Sequence, residues 1–392
     1  MVNGSDANVL ISSMCIPGTA DGGSLTAKAL LQAIRRNGVR VSLCSSDYGH
    51  KDRTDIDPDI HLFHQTFARP MDFSIGVCRF LWKQVRRSSV CHFCAFYATA
   101  TVWGAYLARF FGVPYVVSPM GNTVPLVRRD GRRKPGNLKK RLFFELVGKP
   151  ILRGAACVVC TTEMERERIQ KYLPDARCAV VPLGHEPLDE SVGERALDLP
   201  QHSGVALFLG RLSPEKSIPF LLNVWAEVVK GVPGALLVIA GDDRLCPGYA
   251  DALRARVSEL DLDGAVHFAG TVDKNSKKWL FDKATCLVLP SVSENFGHVV
   301  VEALSAGRPV ITSTGTPWKK LQEDGVGQWL PLERDIWVDL LTDYLANGRP
   351  TDHPEYARRC RQWVRDNIPT WDVAAHAQIE VYREVIERAR CS

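Results

Sequence analysis

The chain has 392 residues, too many for one ordinary hydrophobic core and well suited to two domains of about 150–200 residues each. Hydrophobic residues make up 45% of it and charged residues 24%, the composition of an ordinary soluble globular protein. Lys and Arg exceed Asp and Glu only slightly, 49 against 44 for a net charge of +5, which does not indicate a nucleic-acid partner.

The first half of the chain alternates short apolar runs with helical patterns. A strand over 7–13 is followed by a predicted helix over 24–37, for which Gly38 supplies the C-terminal cap. The other strands predicted here lie over 39–44, 90–94, 114–118 and 155–160. A polar stretch without periodicity follows and predicts a linker over 186–204, so that residues 1–185 form the first domain.

A basic run interrupts this half of the chain. Residues 128–141 contain eight basic side chains and one acid, Asp130. Such a run is most often a solvated face, but it also fits a peripheral contact with anionic lipid headgroups or with a phosphorylated acceptor.

The second half repeats the alternation. Its first helix carries apolar residues from Ile218 to Val229 at the i, i+3, i+4, i+7 spacing of one buried face. The strands predicted here lie over 205–210, 235–241, 265–270, 286–290 and 308–312. Apolar strands separated by helices indicate parallel sheets, so we expect an α/β protein whose two Rossmann-like domains face each other across a cleft. The second domain is predicted over 205–370, and a last helix within 371–392 either seals it or crosses back to the first.

Cysteine usage and hydropathy bear on compartment and metal content. Cysteines such as Cys157 and Cys160 lie in apolar runs, which is typical of reduced cysteines in the cytosol. The pair Cys91 and Cys94 lacks the partners that a zinc or haem site needs, so no metal is predicted. Because no signal-peptide pattern and no run of about 18 apolar residues occurs, we expect a cytoplasmic protein, at most peripheral on the inner membrane face.

Two cations occupy the loop after the first strand of the second half. In GRLSPEKS (210–217), Glu215 stands where a phosphate-binding P-loop requires Gly, which excludes that motif. Arg211 and Lys216 remain, at the carboxyl end of a strand. Fixed cations of this kind stabilise the charge that grows on a departing diphosphate, although alone they could be solvated loop charges.

Two glutamates lie in PSVSENFGHVVVEALSAGRPVI (290–311). Glu294 follows a strand, and Glu302 lies inside the next helix, where a charge among apolar residues needs a partner. Between them, the free N–H groups of Asn295, Phe296 and Gly297 suit sugar hydroxyls or phosphate oxygens. Glu302 can accept hydrogen bonds from both ribose hydroxyls, and Glu294 can hold hydroxyls of a transferred sugar.

These motifs together resemble family 4 of the retaining glycosyltransferases, which has the two-Rossmann-domain GT-B fold. The resemblance rests on GRLSPEK, on the ENFGHVVVE spacing with its flanks, and on TPWKKL (316–321), which is similar to a common variant. It is dense over 205–330 and thinner in the first half. There, GGS (22–24) resembles the glycine-rich loop of the family, and PYVVSPMG (114–121) resembles the strand and loop that line the acceptor side.

The resemblance implies roles for the matching positions. Arg211 and Lys216 would bind the donor diphosphate and act in catalysis with Glu294. Glu302 would bind the ribose, the backbone of 295–297 would bind the hexose, and Gly22 and Gly23 would let the backbone approach the phosphates. The resemblance also implies transfer from a UDP- or GDP-hexose to a glycan or lipid-linked acceptor, for example in polysaccharide biosynthesis. Such transfer would need no metal or other cofactor and would retain anomeric configuration by front-side attack.

The chain departs from the family in two places. Many relatives have His or Arg in the SP-x-G loop, where this chain has Met120. His92, on a neighbouring strand, is a candidate to make the acceptor-side contact instead, although a lone His beside a strand is more often structural. Where related chains with TPW show a Cys and paired Trp, this chain has GVGQWL (325–330).

Other functions remain open at this stage. An epimerase on the same fold should turn over a nucleotide sugar without an acceptor, and a phosphorylase would need a Schiff-base lysine for which there is no motif. A non-catalytic sugar-nucleotide sensor is less favoured, because both cations and both glutamates are present. A nicotinamide dehydrogenase is poorly supported, since no G-x-G-x-x-G follows the first strand.

Overall fold

The computed structural model describes residues 7–13, 22–47, 57–66, 73–94, 96, 98–121, 142–186, 196–244, 246–346 and 354–391. The chain divides into two compact units, one of Met1–Gly184 with Pro369–Ser392 and the other of His185–Ile368. The basic run 128–141 and much of the predicted linker lie outside the described residues. Nowhere in the described ranges is a helix both long and apolar enough to cross a membrane.

The first unit is built on a parallel sheet of seven strands in the order β3-β2-β1-β4-β5-β6-β7. The strands are β1 (Asn8–Ser12), β2 (Arg40–Ser46), β3 (Ile60–Phe63), β4 (Val90–Cys94), β5 (Tyr115–Ser118), β6 (Cys157–Cys160) and β7 (Cys178–Val180). The α-helices described in this unit are α1 (Gly22–Arg36), α2 (Ile75–Gln84), α3 (Thr99–Phe110), α4 (Lys149–Gly154), α5 (Glu163–Tyr172) and α13 (Trp371–Cys391); a 3₁₀ turn, Val85–Arg87, follows α2, and a π-helix, Phe144–Gly148, precedes α4.

Helices cover both faces of this sheet, because successive side chains of each strand point to opposite sides. On β1, Val9 belongs to a core shared with α1 and α13, whereas Leu10 belongs to the core beneath α2, α3 and α4. The last helix of the chain contributes Trp371 and Tyr382 to the first of these cores. The chain therefore returns to the first unit at its end.

The second unit contains a parallel sheet of six strands in the order β10-β9-β8-β11-β12-β13. The strands are β8 (Gly204–Leu209), β9 (Ala235–Ala240), β10 (Val266–Gly270), β11 (Cys286–Leu289), β12 (Val310–Ser313) and β13 (Gly327–Leu330). The helices described in this unit are α6 (Ile218–Gly231), α7 (Tyr249–Glu259), α8 (Lys274–Lys283), α9 (His298–Ser305), α10 (Lys319–Glu323), α11 (Arg334–Ala346) and α12 (Pro354–Asn367).

The strand order reverses direction once in each sheet, between β1 and β4 and between β8 and β11. At such a switch point the loops leaving neighbouring strands diverge, and ligands of open α/β sheets bind there, outside the carboxyl ends of the strands. In the second unit two backbone segments approach closely at this edge, where the Gly210 N–H donates to the Ala240 carbonyl at 3.0 Å. A Cβ on Gly241 would lie 1.8 Å from the Gly210 oxygen, so only glycine fits this approach.

Candidate active site

The loops after β8 and β11 meet at the switch point of the second unit. The loop after β8 passes through a 3₁₀ turn, Pro214–Lys216, before α6 begins. The loop after β11 ends at Gly297, whose φ of 80° lies in the left-handed region that favours glycine. The two loops are joined by a backbone hydrogen bond of 2.8 Å from the Val292 N–H to the Glu215 carbonyl.

An ion pair between Lys216 and Glu294 links the side chains of these loops. The Lys216 ammonium contacts Glu294 Oε2, and the two side chains are only 10% and 15% exposed. The Glu294 backbone is fixed from the other side by its N–H, which donates to the Gly315 carbonyl at 3.2 Å. Because burying two charges costs free energy that the pairing only partly returns, such a pair is weak grounds for a purely stabilising role.

Arg211 lies beside this pair and is half exposed. Its guanidinium is 3.9 Å from Glu215 Oε1, which also accepts a 2.7 Å hydrogen bond from the Ser213 hydroxyl. Burial alone would raise the pKa of Glu215, but the Ser213 hydrogen bond, a backbone N–H and the charges of Arg211 and Lys216 together lower it. Both cations therefore act on one carboxylate, and the structure places them on either side of it in the same loop.

Glu302 has the partner that its apolar sequence setting requires. Lys277 of α8 donates to Glu302 Oε1 at 2.5 Å, and both side chains are largely buried. The imidazole of His298, at the start of α9, lies near both predicted glutamates. Burial lowers the pKa of His298, while the charges of Glu302 and Glu294 act to raise it. The two acids therefore converge on one end of α9.

The segment between the glutamates is held by Trp318 of the TPWKKL motif. The Trp318 indole N–H donates to the Phe296 carbonyl at 2.5 Å, and the two rings pack with centroids 5.2 Å apart. Beside them, Asn295 Oδ1 is buried without a hydrogen-bond partner among the described residues. A buried acceptor left open in this way is suited to a donor group from water or a ligand.

In the first unit, α1 begins at Gly22 and Gly23, which follow β1 beside the switch point of that sheet. Met120 comes two residues after β5 with φ of 52°, a left-handed conformation that is uncommon for a residue other than glycine. The predicted acceptor-side residue Met120 is thus held in a specific turn.

Glu165, which the sequence analysis did not single out, fixes that turn. Its carboxylate is 4% exposed and accepts three hydrogen bonds. One comes from the Gly121 N–H at 2.6 Å, and two come from the N–H and hydroxyl of Thr161 at 2.9 and 3.1 Å. The carboxylate therefore clamps the residue after Met120 to the end of β6.

His92 is buried between β4, β5 and α13. Its Nδ1 is 2.6 Å from the Tyr382 hydroxyl and its Nε2 is 2.7 Å from the Ser118 hydroxyl, so both ring nitrogens are occupied. Its ring is 1% exposed, and in this geometry it binds the sheet to the last helix. The geometry gives no support to a direct acceptor contact by His92.

A small cavity of about 30 Å³ lies next to this histidine. It is lined by His92, Met120 and Gln378, among others, and Gln378 Nε2 is buried without a hydrogen-bond partner among the described residues. The space is large enough for one water molecule, to which Gln378 Nε2 and a lining hydroxyl such as that of Thr26 could hydrogen-bond.

Comparisons with known proteins agree with this architecture. Residues 189–362 match the family model described as glycosyl transferases group 1, and residues 21–184 match that of the glycosyl transferase 4-like domain. In fold, the chain is similar to sucrose-phosphate synthase from Thermosynechococcus elongatus, with a TM-score of 0.76, 19% identity and 97% and 100% of the two chains covered. It is also similar to HepE of Anabaena in complex with UDP-glucose, with a TM-score of 0.71, 17% identity and 96% and 99% covered.

Similar sequences carry one recurring name. A D-inositol 3-phosphate glycosyltransferase of Nocardioides sp. is 27% identical over 300 residues, which are 71% of this chain and 64% of that protein. A protein of the same name from Acidothermus cellulolyticus is 33% identical over 235 residues, 55% of this chain and 50% of that protein. The chain thus spans less than two thirds of the length of these relatives.

The two parallel-sheet units and the fold neighbours define the GT-B architecture of glycosyltransferases. The chain belongs to the glycosyl transferases group 1.

The buried histidine makes the stability of the first unit dependent on pH. Burial lowers the pKa of His92 to about 3, whereas the pKa of a histidine in the unfolded chain stays near its ordinary value of 6.5. The unfolded chain therefore binds more protons between these values. The stabilisation is complete above about pH 6.5 and is lost as the pH falls, at up to about 1.4 kcal/mol per pH unit.

We expect His92→Gln to unfold at lower urea concentration at pH 7, because two buried hydrogen bonds are lost, but to lose less further stability between pH 6.5 and 4.5. Urea unfolding followed across this range measures both effects. His376→Gln, an exposed change on α13, is the control. Parallel pH profiles for the wild type and His92→Gln would contradict the assignment.

Glu165→Gln tests the clamp on the Met120 turn. The NH₂ group of the new amide would face an N–H or O–H group that now donates to the carboxylate, and two donors cannot bond to each other. We therefore expect a loss of about 1–3 kcal/mol in the free energy of unfolding. Glu163→Gln, on the same helix but in an exposed pair with Arg166, should change it by less than about 0.5 kcal/mol. Equal midpoints of thermal unfolding for Glu165→Gln and Glu163→Gln would show that the Glu165 hydrogen bonds contribute nothing to stability.

Proposed function

We propose that the protein is a retaining hexosyltransferase that takes a hexose from a UDP- or GDP-linked donor and passes it to a glycan or lipid-linked acceptor without a metal ion. The observation that carries this proposal is the convergence of two cations and two carboxylates at one switch point, with Lys216 and Glu294 in direct contact. A diphosphate-linked sugar requires this combination, since the diphosphate needs positive charge and the sugar hydroxyls need acceptors.

The ion pairs of the site have a consequence for the order of events. Each cation faces a carboxylate: Lys216 faces Glu294, Arg211 faces Glu215, and Lys277 faces Glu302. A donor diphosphate would compete with Glu294 for the Lys216 ammonium. As the ammonium turns to the phosphate, Glu294 becomes free to accept hydrogen bonds from hydroxyl groups of the hexose. Binding of the diphosphate and binding of the hexose are therefore coupled.

The chemical step follows from the same charges. When the bond from the hexose to the diphosphate breaks, negative charge grows on the phosphate oxygens, and Arg211 with Lys216 would stabilise it. In front-side attack the departing phosphate takes the acceptor proton, so that no separate carboxylate base is required. This agrees with the contacts of Glu294 and Glu302, since each carboxylate is already engaged by a lysine ammonium.

The two ends of the donor are assigned by position. Glu302, inside α9, would accept hydrogen bonds from the ribose, and the open Asn295 oxygen beside the loop would accept one from the hexose. HepE of Anabaena, which shares the fold, is described with UDP-glucose bound, and this supports a UDP-linked donor.

The acceptor side would fall to the first unit, near the Met120 turn. The relatives are named D-inositol 3-phosphate glycosyltransferase, and this chain spans 64% and 50% of the two proteins compared. Contact of the 128–141 run with anionic lipid stays a prediction.

Donor binding is the most direct test. Thermal unfolding in UDP-, GDP- and ADP-hexoses should show stabilisation by one nucleotide series, about 2.7 kcal/mol at 100 times the dissociation constant. Glu302→Gln should weaken binding of that nucleotide in calorimetry, because one of its ribose acceptors becomes an amide donor. Glu259→Gln, an exposed acid of α7 paired with Arg256, is the matched control. No stabilisation by any of the three series would remove the proposal.

Turnover tests the role of the cations. Arg211→Ala should lower the rate of nucleotide release by about 10²–10³-fold if the guanidinium stabilises the departing diphosphate. Lys230→Ala, which removes an exposed cation paired with Glu227 on α6, should leave the rate unchanged. Release is measured with candidate glycan and lipid-linked acceptors, in buffer with and without a chelator. Loss of activity in chelator would contradict the metal-free mechanism, and interconversion of the donor sugar without acceptor would indicate an epimerase.

A further inference from the structure

The outer face of α2 and α3 exposes an unusual set of apolar side chains. Ile75, Trp82, Trp103, Tyr106 and Phe110 are between 40% and 74% exposed. Three of them follow the i, i+3, i+7 spacing along α3 and so form one stripe on its solvent side. The opposite side of α3 already supplies Leu107 and other residues to the core. This outer stripe is therefore additional to the buried one, and large exposed apolar patches mark interaction sites.

Contacts between the two helices hold these rings in place. The Trp82 ring packs edge-on against Phe111 with centroids 5.4 Å apart, and it stacks on Phe110 at 6.4 Å. The Trp103 indole N–H donates to the Cys78 carbonyl of α2 at 3.3 Å. The rings thus form one ordered surface, and little conformational entropy remains to be lost when it meets a partner.

The other exposed side chains of this surface are all cations. They are Arg79, Lys83, Arg86, Arg87 and Arg109. Residues 75–87 and 99–110 contain no Asp or Glu at all. On α13, by contrast, exposed arginines face acids one turn away, as Arg383 faces Glu380 and Arg388 faces Glu384. We call the exposed side chains of 75–87 and 99–110 the aromatic-basic face.

We infer that the aromatic-basic face docks the first unit on the surface of an anionic lipid bilayer. Lys and Arg next to an anionic leaflet are attracted to its phosphates, and Trp and Tyr rings favour the level of the headgroups, where one edge is apolar and the other polar. A bilayer offers both kinds of contact side by side over a broad area, which matches the mixture of rings and cations along two neighbouring helices. An acidic protein surface would match the cations, but it would also need an apolar area placed to fit the aromatic stripe.

This inference goes beyond the proposed function and does not depend on the donor site. The residues belong to the first unit, whereas the donor cations belong to the second. The face is also separate in sequence from the 128–141 run. If both proposals hold, the membrane contact brings the enzyme to the compartment surface where lipid-linked acceptors reside.

Flotation of the full chain with vesicles tests the inference. Vesicles of phosphatidylcholine with about 30% phosphatidylglycerol should bind the wild-type protein at low salt, and pure phosphatidylcholine should bind it much less. Neutralising Arg79, Lys83, Arg86 and Arg87 to Gln should weaken binding by at least about tenfold. The matched control neutralises four exposed cations that have acidic neighbours, Lys230, Lys319, Arg358 and Arg388, and should bind as the wild type does.

A second measurement locates the contact. Vesicles with brominated acyl chains should quench tryptophan fluorescence of the wild-type protein, and Trp82→Phe with Trp103→Phe should remove most of that quenching while the protein still floats. Unchanged donor binding or unchanged thermal unfolding shows that each variant is folded.

Three outcomes overturn the inference. Wild-type binding by the four-Gln variant would place the contact elsewhere, for example in 128–141. Equal binding to neutral vesicles would remove the electrostatic part, and failure to bind vesicles together with self-association through this face would make it a protein interface. Since no donor or acceptor is present in these assays, their failure leaves the proposed function standing, and failure of donor binding leaves the lipid contact standing.

Discussion

The candidate site depends on the largely buried ion pair between Lys216 and Glu294. Both residues lie just beyond the carboxyl ends of β8 and β11, the two strands between which the strand order reverses, so their loops are neighbours that leave the sheet in different directions. Two charges in a mostly dry environment are costly, and replacing them by apolar residues would often be neutral or favourable for folding. Their presence is understandable if the cation must already be in position when a diphosphate arrives. Preorganised charge of this kind acts without reorganisation at the moment of reaction.

The surrounding backbone makes that position possible. Gly241 lets the loop after β9 lie against the Gly210 carbonyl, and the Val292 N–H bonds to the Glu215 carbonyl, so the lysine loop is confined on both sides. Trp318 then holds the Phe296 carbonyl and with it the segment that leads into α9. These contacts explain why the GRLSPEK, ENFG and TPW motifs occur in one chain: each supplies a wall of the same loop arrangement.

How far the sequence predicted this arrangement depends on the range of the interaction. The inner strands were predictable because continuous apolar runs of four to six residues indicate strands buried on both faces. The edge strands β3, β7 and β13 were missed, since IHLF, CAV and GQWL are short and of mixed polarity, as strands covered on one side only can be. The sequence pointed to four site residues because each lies near a strand end or in the helix that follows it: Arg211, Lys216, Glu294 and Glu302.

The sequence did not point to Lys277 or Glu165, because their partners are set by tertiary packing and have no signal in local spacing. The same limit applies to His92, whose partner Tyr382 is 290 residues away.

The polar groups of the two units have different partners, and this difference bears on which unit carries the chemistry. Near Met120, the Gly121 N–H is already bound by Glu165, and both nitrogens of His92 are bound by hydroxyls. Methionine offers no strong hydrogen-bonding group of its own. The Gly121 N–H and the His92 ring are therefore committed to holding the structure around this turn, whereas Lys216, Glu294, Lys277 and Glu302 of the second unit form ion pairs that a ligand could exchange. Under the proposed mechanism this division is sufficient, because a leaving diphosphate that accepts the acceptor proton needs its charge stabilised and does not need a side-chain base from the first unit. An apolar side chain at Met120 is compatible with such a mechanism.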